Sequence, residues 1–544
     1  MGQVRNILFI MCDQLRWDYL SCNGHPTLAT PHIDALAARG VNFRRSYCQS
    51  PFCGPSRMSF YTGRYMFCHG ANGNNFPLSV HERTMGDYLR PLGLRTALIG
   101  KTHMAADRDG MARLNIDPAS SLGVLVSECG FEPYERDDGL HPDQSADPDL
   151  AYNRYLRDLG YAGDNPWHDW ANSVEGDDGE VLSGWYLKHS PRPARVKEEH
   201  SETAYMTDRA LAFIDECGDR PWCAHLSYIK PHWPYIAPAP YHALYSANQI
   251  LPMVAHPDEK ADPHPVHAAF MGHPDSQNFA NDAVRRAVIP AYMGLIKQID
   301  DHVGRLMAEL DTRGRLDDTM IVFTSDHGDY LGDHYLGEKE LLHEVSARIP
   351  MLVVDPDPAA DATRGSVDER LVEGIDLLPT FVEALGGEPQ PHRLEGLSLL
   401  PLTRPGHEPA HRDGTRLVDW REAAFSECDY SLRQARVALG VEPADARAFM
   451  VVTADWKYVF YEGFRPQLFD LAGDPDELKD LGESPDPEHV AVRAEMHERL
   501  FAWLRQRRTR MTMSEEDLRK RTGGARKRGF LIGLWDEGED FAPE

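Results

Sequence analysis

The chain lacks long hydrophobic runs, an excess of basic residues and a regular cysteine pattern. In its 544 residues, 85 Asp and Glu outnumber 57 Lys and Arg, and the formal net charge is −28. Proteins that coat nucleic acids bind phosphates through a basic surface, so this charge argues against a nucleic-acid partner. No apolar stretch is long enough to span a bilayer, which argues against a membrane partner.

The nine cysteines are odd in number and scattered, unlike the spaced framework of a disulfide-stapled secreted protein. The apolar run at residues 7–11 is too short for a secretory signal and leads directly into Asp13. We therefore expect a cytoplasmic protein with reduced cysteines. No internal repeat is visible, and the length predicts a large core and two domains.

Short apolar runs typical of buried strands end beside residues that can carry chemistry. These end residues are Asp13 and Gln14, Lys101 and His103, His232, and Asp326 and His327. Each alone is more often a turn or cap residue. However, ligands of open α/β sheets gather at the carboxyl ends of strands. Helical periodicity between the runs, clearest at 285–312, indicates an α/β fold.

A further candidate is the stretch Cys53-Gly54-Pro55-Ser56-Arg57, which is predicted to begin a helix that Gly63 ends. Cys53 then lies at a helix N-terminus, where free N–H groups and the helix dipole favour an anion. Arg57 adds a positive charge one turn later. A lone cysteine is most often a buried, inert thiol, so the residues around Cys53 decide its interpretation.

Those residues resemble the signature of type I sulfatases, in which this cysteine is oxidised to formylglycine. Thr62-Gly63 follow at the family's spacing, and the segments at 100–103 and 325–328 also resemble the family. The resemblance covers most of the chain and extends to the arylsulfatase and phosphonate monoester hydrolase branch of the alkaline phosphatase superfamily. It implies a large, mixed, mostly parallel sheet sandwiched by helices, with a smaller C-terminal α+β domain that has an antiparallel sheet.

On this basis we predict a catalytic domain at 1–405, the smaller domain at 406–508 and a tail at 509–544. The apolar end of the tail could contact a second subunit of a homo-oligomer, either a dimer or a tetramer. Residues 104–200 are rich in Asp, Gly and Pro, and we expect them to form long loops around the active-site mouth.

The resemblance also implies the roles of the candidate residues. The implied metal ligands are Asp13, Gln14, Cys53, Asp326 and His327, and the implied catalytic side chains are Cys53, Arg57, Lys101, His103, His232 and Lys339. Gln14 departs from the paired acids usual in the family, although its carbonyl oxygen could still bind a metal. Asn74 lies in a polar loop that ordinarily would only form turns, but its side chain could touch substrate oxygens.

The implied mechanism needs one divalent cation and formylglycine at position 53, made by a formylglycine-generating enzyme. A hydroxyl of the hydrated aldehyde, made more acidic by the metal, attacks the substrate and forms a covalent intermediate. His327 favours manganese, with calcium as the alternative.

Three functions remain open at this point, each for a small anionic ligand. Lys101 and His103 favour a sulfate ester hydrolase of the arylsulfatase kind, because phosphonate monoester hydrolases tend to carry Tyr and Thr there. Gln14 and His327 favour a phosphonate monoester or phosphodiester hydrolase. A non-catalytic anion-binding protein, in which Cys53 stays a thiol, is the third. We expect the first.

Overall fold

The computed structural model describes residues 4–139, 141–142, 149–407, 420–507 and 511–522. Within them, an eight-stranded sheet consists, in chain order, of β1 (Asn6–Asp13), β2 (Val41–Phe43), β3 (Arg95–Gly100), β4 (Glu132–Arg136), β5 (Trp222–Pro231), β6 (Thr319–Ser325), β7 (Met351–Val354) and β8 (Ser366–Asp368). The spatial order of these strands is β8-β2-β7-β6-β1-β5-β3-β4. Only β7 runs antiparallel to its neighbours, so the mixed, mostly parallel sheet expected from the sequence is confirmed.

Helices cover both faces of the sheet, which is why β1 is buried along its whole length. Its residues alternate between two cores. Leu8 and Ile10 pack with the helices Pro31–Arg39, Glu202–Cys217 and Asp282–Thr312. Phe9 on the opposite face packs with the helices Cys53–Thr62 and Leu377–Ala384. The predicted sandwich is therefore present.

The remaining α-helices have at most eight residues, apart from a longer one in the C-terminal part of the described chain. Their bounds are Met66–His69, Met85–Leu89, Arg108–Arg113, Ser121–Ser127, Ala151–Asp158, Asp258–Ala261, Pro265–Met271, Pro274–Phe279, Glu344–Ala347, Leu400–Thr403, Gln434–Leu439, Pro487–Arg505 and Glu515–Arg521. Two- and three-residue strands form small separate sheets: Ser46–Tyr47 with Arg348–Ile349 and Val372–Glu373, Pro77–Leu78 with Ala105–Ala106, and Ser173–Glu175 with Val181–Ser183. None of the described helices has the length and apolar character needed to cross a membrane.

The C-terminal part contains a four-stranded antiparallel sheet, as expected. Its strands are Ala424–Asp429, Arg447–Val452, Trp456–Tyr461 and Gln467–Asp470, paired in chain order. The Pro487–Arg505 helix packs on one face through Met496 and Leu500. The other face shares a core with Tyr47 and Phe52, so this sheet supports the segment that leads into Cys53. The domain limits at 405 and 508 stay predictions, and most of the predicted tail lies outside the described residues.

The expectation of long loops over 104–200 is wrong in one important respect. Residues Glu132–Arg136 form β4, the edge of the main sheet, and short helices precede and follow it. An edge strand is only half-buried, so it needs no continuous apolar run and tolerates Pro133. Residues 104–200 therefore contribute an edge strand to the main sheet as well as loops.

Gly100, at the end of β3 and next to Lys101, lies where β3 and β5 approach each other closely. It has a φ of +109°, and a Cβ there would lie 2.0 Å from the carbonyl oxygen of Ser227 on β5. Gly93 has a similar φ of +94° but open space around it. We expect Gly93→Ala to cost only the left-handed strain of about 1–2 kcal/mol. Gly100→Ala should lower the melting temperature much further, because β3 and β5 must also separate; equal shifts in calorimetry would contradict this.

Candidate active site

The carboxyl ends of four parallel neighbours, β6, β1, β5 and β3, meet at one edge of the sheet. Asp13 ends β1, Asp326 follows β6, His232 follows β5 and Lys101 follows β3. All four side chains are almost completely buried. The residues predicted from separate strand ends are therefore brought together, as the rule for open α/β sheets requires.

The helix Cys53–Thr62 presents its first residue to this edge, as predicted. Gly63 ends the helix in the left-handed conformation, with a φ of 65°. The hydroxyl of Ser56 donates to the carbonyl oxygen of Asp326 at 2.6 Å, which ties the helix to the end of β6. The amide N–H of Gly54 donates to the side-chain oxygen of Asn74 at 2.8 Å. Asn74 thus caps the helix, and its amide nitrogen has no partner among the described residues.

Four side chains could hold a metal ion: Asp13, Cys53, Asp326 and His327 offer donor atoms that all lie within 4.8 Å of one another. His327 Nε2 is 3.1 Å from Cys53 Sγ and 3.6 Å from Asp326 Oδ1. The other ring nitrogen, Nδ1, is 2.9 Å from the carbonyl oxygen of Gly328, an anchor typical of metal-bound histidines. Two carboxylates and an imidazole, all fully buried, fit a divalent cation.

Arg57 forms ion pairs with the carboxylates of both Asp13 and Asp326. Its guanidinium donates to Asp13 Oδ2 at 3.0 Å and to Asp326 Oδ2 at 2.9 Å, which leaves the Oδ1 atom of each toward the donor group. It also donates to the Lys101 carbonyl and the Ser227 hydroxyl. Arg57 is therefore fully engaged with protein groups, and the sequence did not indicate Ser227.

The charges around Asp13 favour its ionised form. Burial would raise the pKa of this carboxyl, but the charges of Lys101 and Arg57 lower it well below its usual range. Lys101 Nζ lies 2.7 Å from Asp13 Oδ2. The carboxylate of Asp13 thus stays anionic in spite of complete burial, as a metal ligand needs to be.

His103 and His232 are both held neutral. Burial, reinforced by the charge of Lys101, lowers the pKa of each imidazole. The side chain of His103 lies close to Cys53. Its backbone N–H donates to Asp138 at 2.8 Å, a contact that the sequence did not indicate. His232 Nδ1 is 2.7 Å from the carbonyl oxygen of Trp233, and Nε2 is 3.9 Å from Asp13 Oδ1.

Gln14 and Lys339 contact each other beside the donor group. Lys339 Nζ donates to Gln14 Oε1 at 2.7 Å, and Gln14 Nε2 donates to Asp329 Oδ2 at 2.6 Å. Burial raises the pKa of Asp329 to about 6. The role of Gln14 as a metal ligand stays a prediction, because its carbonyl oxygen already accepts a hydrogen bond. Asp329 was overlooked although it stands in the Asp326-His327-Gly328-Asp329 motif.

A model of the sulfatase family matches residues 5–387 of the chain. The chain belongs to the sulfatase family. A second model, of the C-terminal part of N-sulphoglucosamine sulphohydrolase, matches residues 332–506. The family resemblance and the alkaline phosphatase superfamily fold inferred from the sequence are thereby confirmed.

Relatives of this sulfatase-family chain include both sulfatases and enzymes with other names. It is 32% identical to the multifunctional alkaline phosphatase superfamily protein PehA of Trinickia caryophylli, over 92% of this chain and 95% of that protein. It is 26% identical to an arylsulfatase of Clostridium perfringens, over 88% and 91%. Among solved structures, the phosphonate monoester hydrolase SpPMH of Silicibacter pomeroyi aligns with a TM-score of 0.79 at 28% identity, over 93% and 96%. The chain is therefore a hydrolase of the sulfatase and phosphonate monoester hydrolase family.

Arg57→Gln tests whether Arg57 orients the two metal-binding carboxylates. Removing one partner of a buried ion pair costs about 3–5 kcal/mol, and loss of an outer-shell contact weakens metal affinity about 10- to 100-fold. We expect Arg57→Gln both to lower the melting temperature and to weaken Mn²⁺ binding in a direct titration.

Arg404→Gln is the matched control, because Arg404 binds Asp355 at 2.6 Å in a buried pair of its own. Arg404→Gln should lose about as much stability as Arg57→Gln, but it should keep the Mn²⁺ affinity of the unsubstituted protein. An equal loss of Mn²⁺ affinity in both variants would show that Arg57 has no specific role.

Proposed function

We propose that the chain hydrolyses sulfate esters, in the manner of an arylsulfatase, with formylglycine at position 53 and one divalent cation, manganese in preference to calcium. The observation that carries the proposal is the buried group of donors around Cys53, with Lys101 and His103 beside it. Lys101 and His103 are the pair that favours sulfate esters within the family.

The cation would be held by Asp13, Asp326, His327 and residue 53, with the carbonyl of Gln14 as a further ligand. When bound, the cation and the hydrated formylglycine supply an acidified hydroxyl as the nucleophile. A formylglycine-generating enzyme is the partner required for this maturation. A homo-oligomeric state and a cytoplasmic location remain part of the proposal.

The neutral histidines supply the proton transfers. His103 lies close to residue 53 and, since it is neutral, can accept a proton from it. His232 is kept neutral by burial and by the charges of Lys101 and Lys339. A bound anion would offset those charges and favour the protonated imidazole, which can donate to the leaving oxygen. Lys339 and the free amide nitrogen of Asn74 would bind the non-bridging oxygens.

Phosphonate monoesters and phosphodiesters are the second candidate substrates. The likeness to the phosphonate monoester hydrolase of S. pomeroyi, at a TM-score of 0.79, favours them, as do Gln14 and His327. Sulfate monoesters and phosphonate monoesters both present a singly charged tetrahedral centre, so one site can serve both.

A kinetic comparison tests the substrate class. A manganese-loaded preparation, with modification of Cys53 verified by peptide mass, would be assayed on an aryl sulfate and an aryl phosphonate monoester. We expect a higher kcat/KM on the sulfate, because Lys101 and His103 replace the Tyr and Thr of phosphonate monoester hydrolases. A higher value on the phosphonate would make the second candidate the function.

Cys53→Ala is the control for nucleophilic catalysis. Removing the nucleophile should lower kcat/KM on both esters about a thousandfold or more, as for other residues that act as a catalytic unit. Cellular function that survives this loss of turnover would instead support a non-catalytic anion-binding protein.

Metal removal tests the role of the donor group. Dialysis against a chelator should abolish turnover, because Asp13 and Asp326 alone cannot acidify the nucleophile. Added Mn²⁺ should restore more activity than Ca²⁺, since an imidazole ligand suits a transition metal. Full activity in metal-free protein, verified by elemental analysis, would refute the proposed cofactor.

A further inference from the structure

The side-chain amide of Gln14 lies between a carboxylate and an ammonium group. Its Nε2 donates to Asp329 Oδ2 at 2.6 Å, and its Oε1 accepts from Lys339 Nζ at 2.7 Å. The hydroxyl of Tyr235 donates to the same Asp329 oxygen at 2.7 Å. These four side chains are 0–4% exposed, so water does not compete for the contacts.

The two partners of the Gln14 amide determine whether its nitrogen or its oxygen faces each of them. An ionised carboxylate only accepts hydrogen bonds and an ammonium group only donates them. Gln14 must therefore turn its nitrogen to Asp329 and its oxygen to Lys339. The backbone N–H of Leu331 holds the other Asp329 oxygen at 3.0 Å, which fixes the carboxylate itself.

We propose that Asp329 is a positioning residue for the anion-binding site, because it orients Gln14 so that the Gln14 carbonyl holds Lys339 in place. The inference rests on the proposed function in one respect, namely that Lys339 binds oxygens of the substrate. Lys339 lies near His232, with Nζ 5.7 Å from the ring centre of Trp233, the next residue in the chain.

The arrangement also explains what an amide at position 14 achieves. A carboxylate there would contact Lys339 directly and cancel much of the charge that an anionic ester needs. A carbonyl oxygen keeps the hydrogen bond without that charge, while the negative charge of Asp329 lies one amide farther away. Lys339 is thus held firmly and remains a cation toward the substrate.

The first variant is Asp329→Asn, which keeps the size of the side chain. The asparagine that it introduces could donate to Gln14, so the Gln14 amide could turn its nitrogen toward Lys339 and displace the ammonium group. In the manganese-loaded enzyme we expect the KM for the ester and the dissociation constant for inorganic sulfate to rise about 10- to 100-fold. The change in kcat should be smaller, because four of the five proposed metal ligands are untouched, namely Asp13, Asp326, His327 and residue 53.

The reciprocal change distinguishes orientation from simple loss of structure. Gln14→Glu places two buried carboxylates in contact at the 2.6 Å position, and it should weaken both stability and turnover. In that background Asp329→Asn restores a donor opposite an acceptor. Asp329→Asn should therefore lower stability and turnover when residue 14 is the native glutamine, and raise both when residue 14 is glutamate. Additive losses in this double-mutant cycle would overturn the proposal.

Tyr235→Phe is the matched control, since it removes one hydrogen bond to Asp329 and the longer 3.3 Å contact from Gln14 Nε2, but leaves the carboxylate as the acceptor for Gln14. It should change KM much less than Asp329→Asn; equal effects would overturn the proposal.

Turnover and sulfate binding of the unsubstituted enzyme test the proposed function separately. Should that function fail, crystal structures still decide the inference: Lys339 Nζ displaced from its 2.7 Å contact in Asp329→Asn supports it, and an unmoved Nζ overturns it.

Discussion

Two carboxylates buried side by side are the constraint on which the rest of the site depends. Asp13 and Asp326 stand at the ends of neighbouring strands and are fully shielded from water. Buried like charges are tolerated only with cations close by. Arg57 bridges them on one side and Lys101 binds Asp13 on another, while their remaining oxygens face Cys53 and His327. A divalent cation would complete this compensation, so metal binding and the packing of the strand ends belong to one electrostatic arrangement.

This arrangement divides the basic groups into two sets. Arg57 and Lys101 are bound to the two buried carboxylates and organise the site from inside. Lys339, His232 and the amide nitrogen of Asn74 would remain for the anionic substrate that we propose. Such a division would let a chain with a net charge of −28 bind an anion, because the local field at the strand ends, not the overall charge, governs recognition.

The same geometry suits sulfate and phosphonate monoesters, because both carry one negative charge on a tetrahedral centre. Discrimination between them depends on side chains around that centre, not on the fold. Lys101 and His103 follow the pattern of sulfatases, whereas Gln14 and His327 follow that of phosphonate hydrolases. The relatives show the same mixture, since an arylsulfatase and a phosphonate monoester hydrolase both align along most of the chain.

Local sequence was sufficient to predict the structural elements that depend on the chemistry of neighbouring residues. The apolar runs predicted strands β1, β3, β5 and β6, and the polar residues that follow them predicted the edge of the sheet at which the candidate site lies. The stretch from Cys53 to Gly63 predicted its own helix, since proline and glycine restrict the backbone locally.

Contacts between distant segments could not be predicted in this way. The Asn74 cap on Gly54, the orientation of Arg57 toward Asp13 and Asp326, and the amide of Gln14 between Asp329 and Lys339 join residues up to 325 positions apart. The edge strand β4 depends on β3 for its hydrogen bonds and carries no apolar pattern of its own. Which of two hydrogen-bonding partners a side chain takes depends on what packing places beside it, and that packing is established only when the whole sheet assembles.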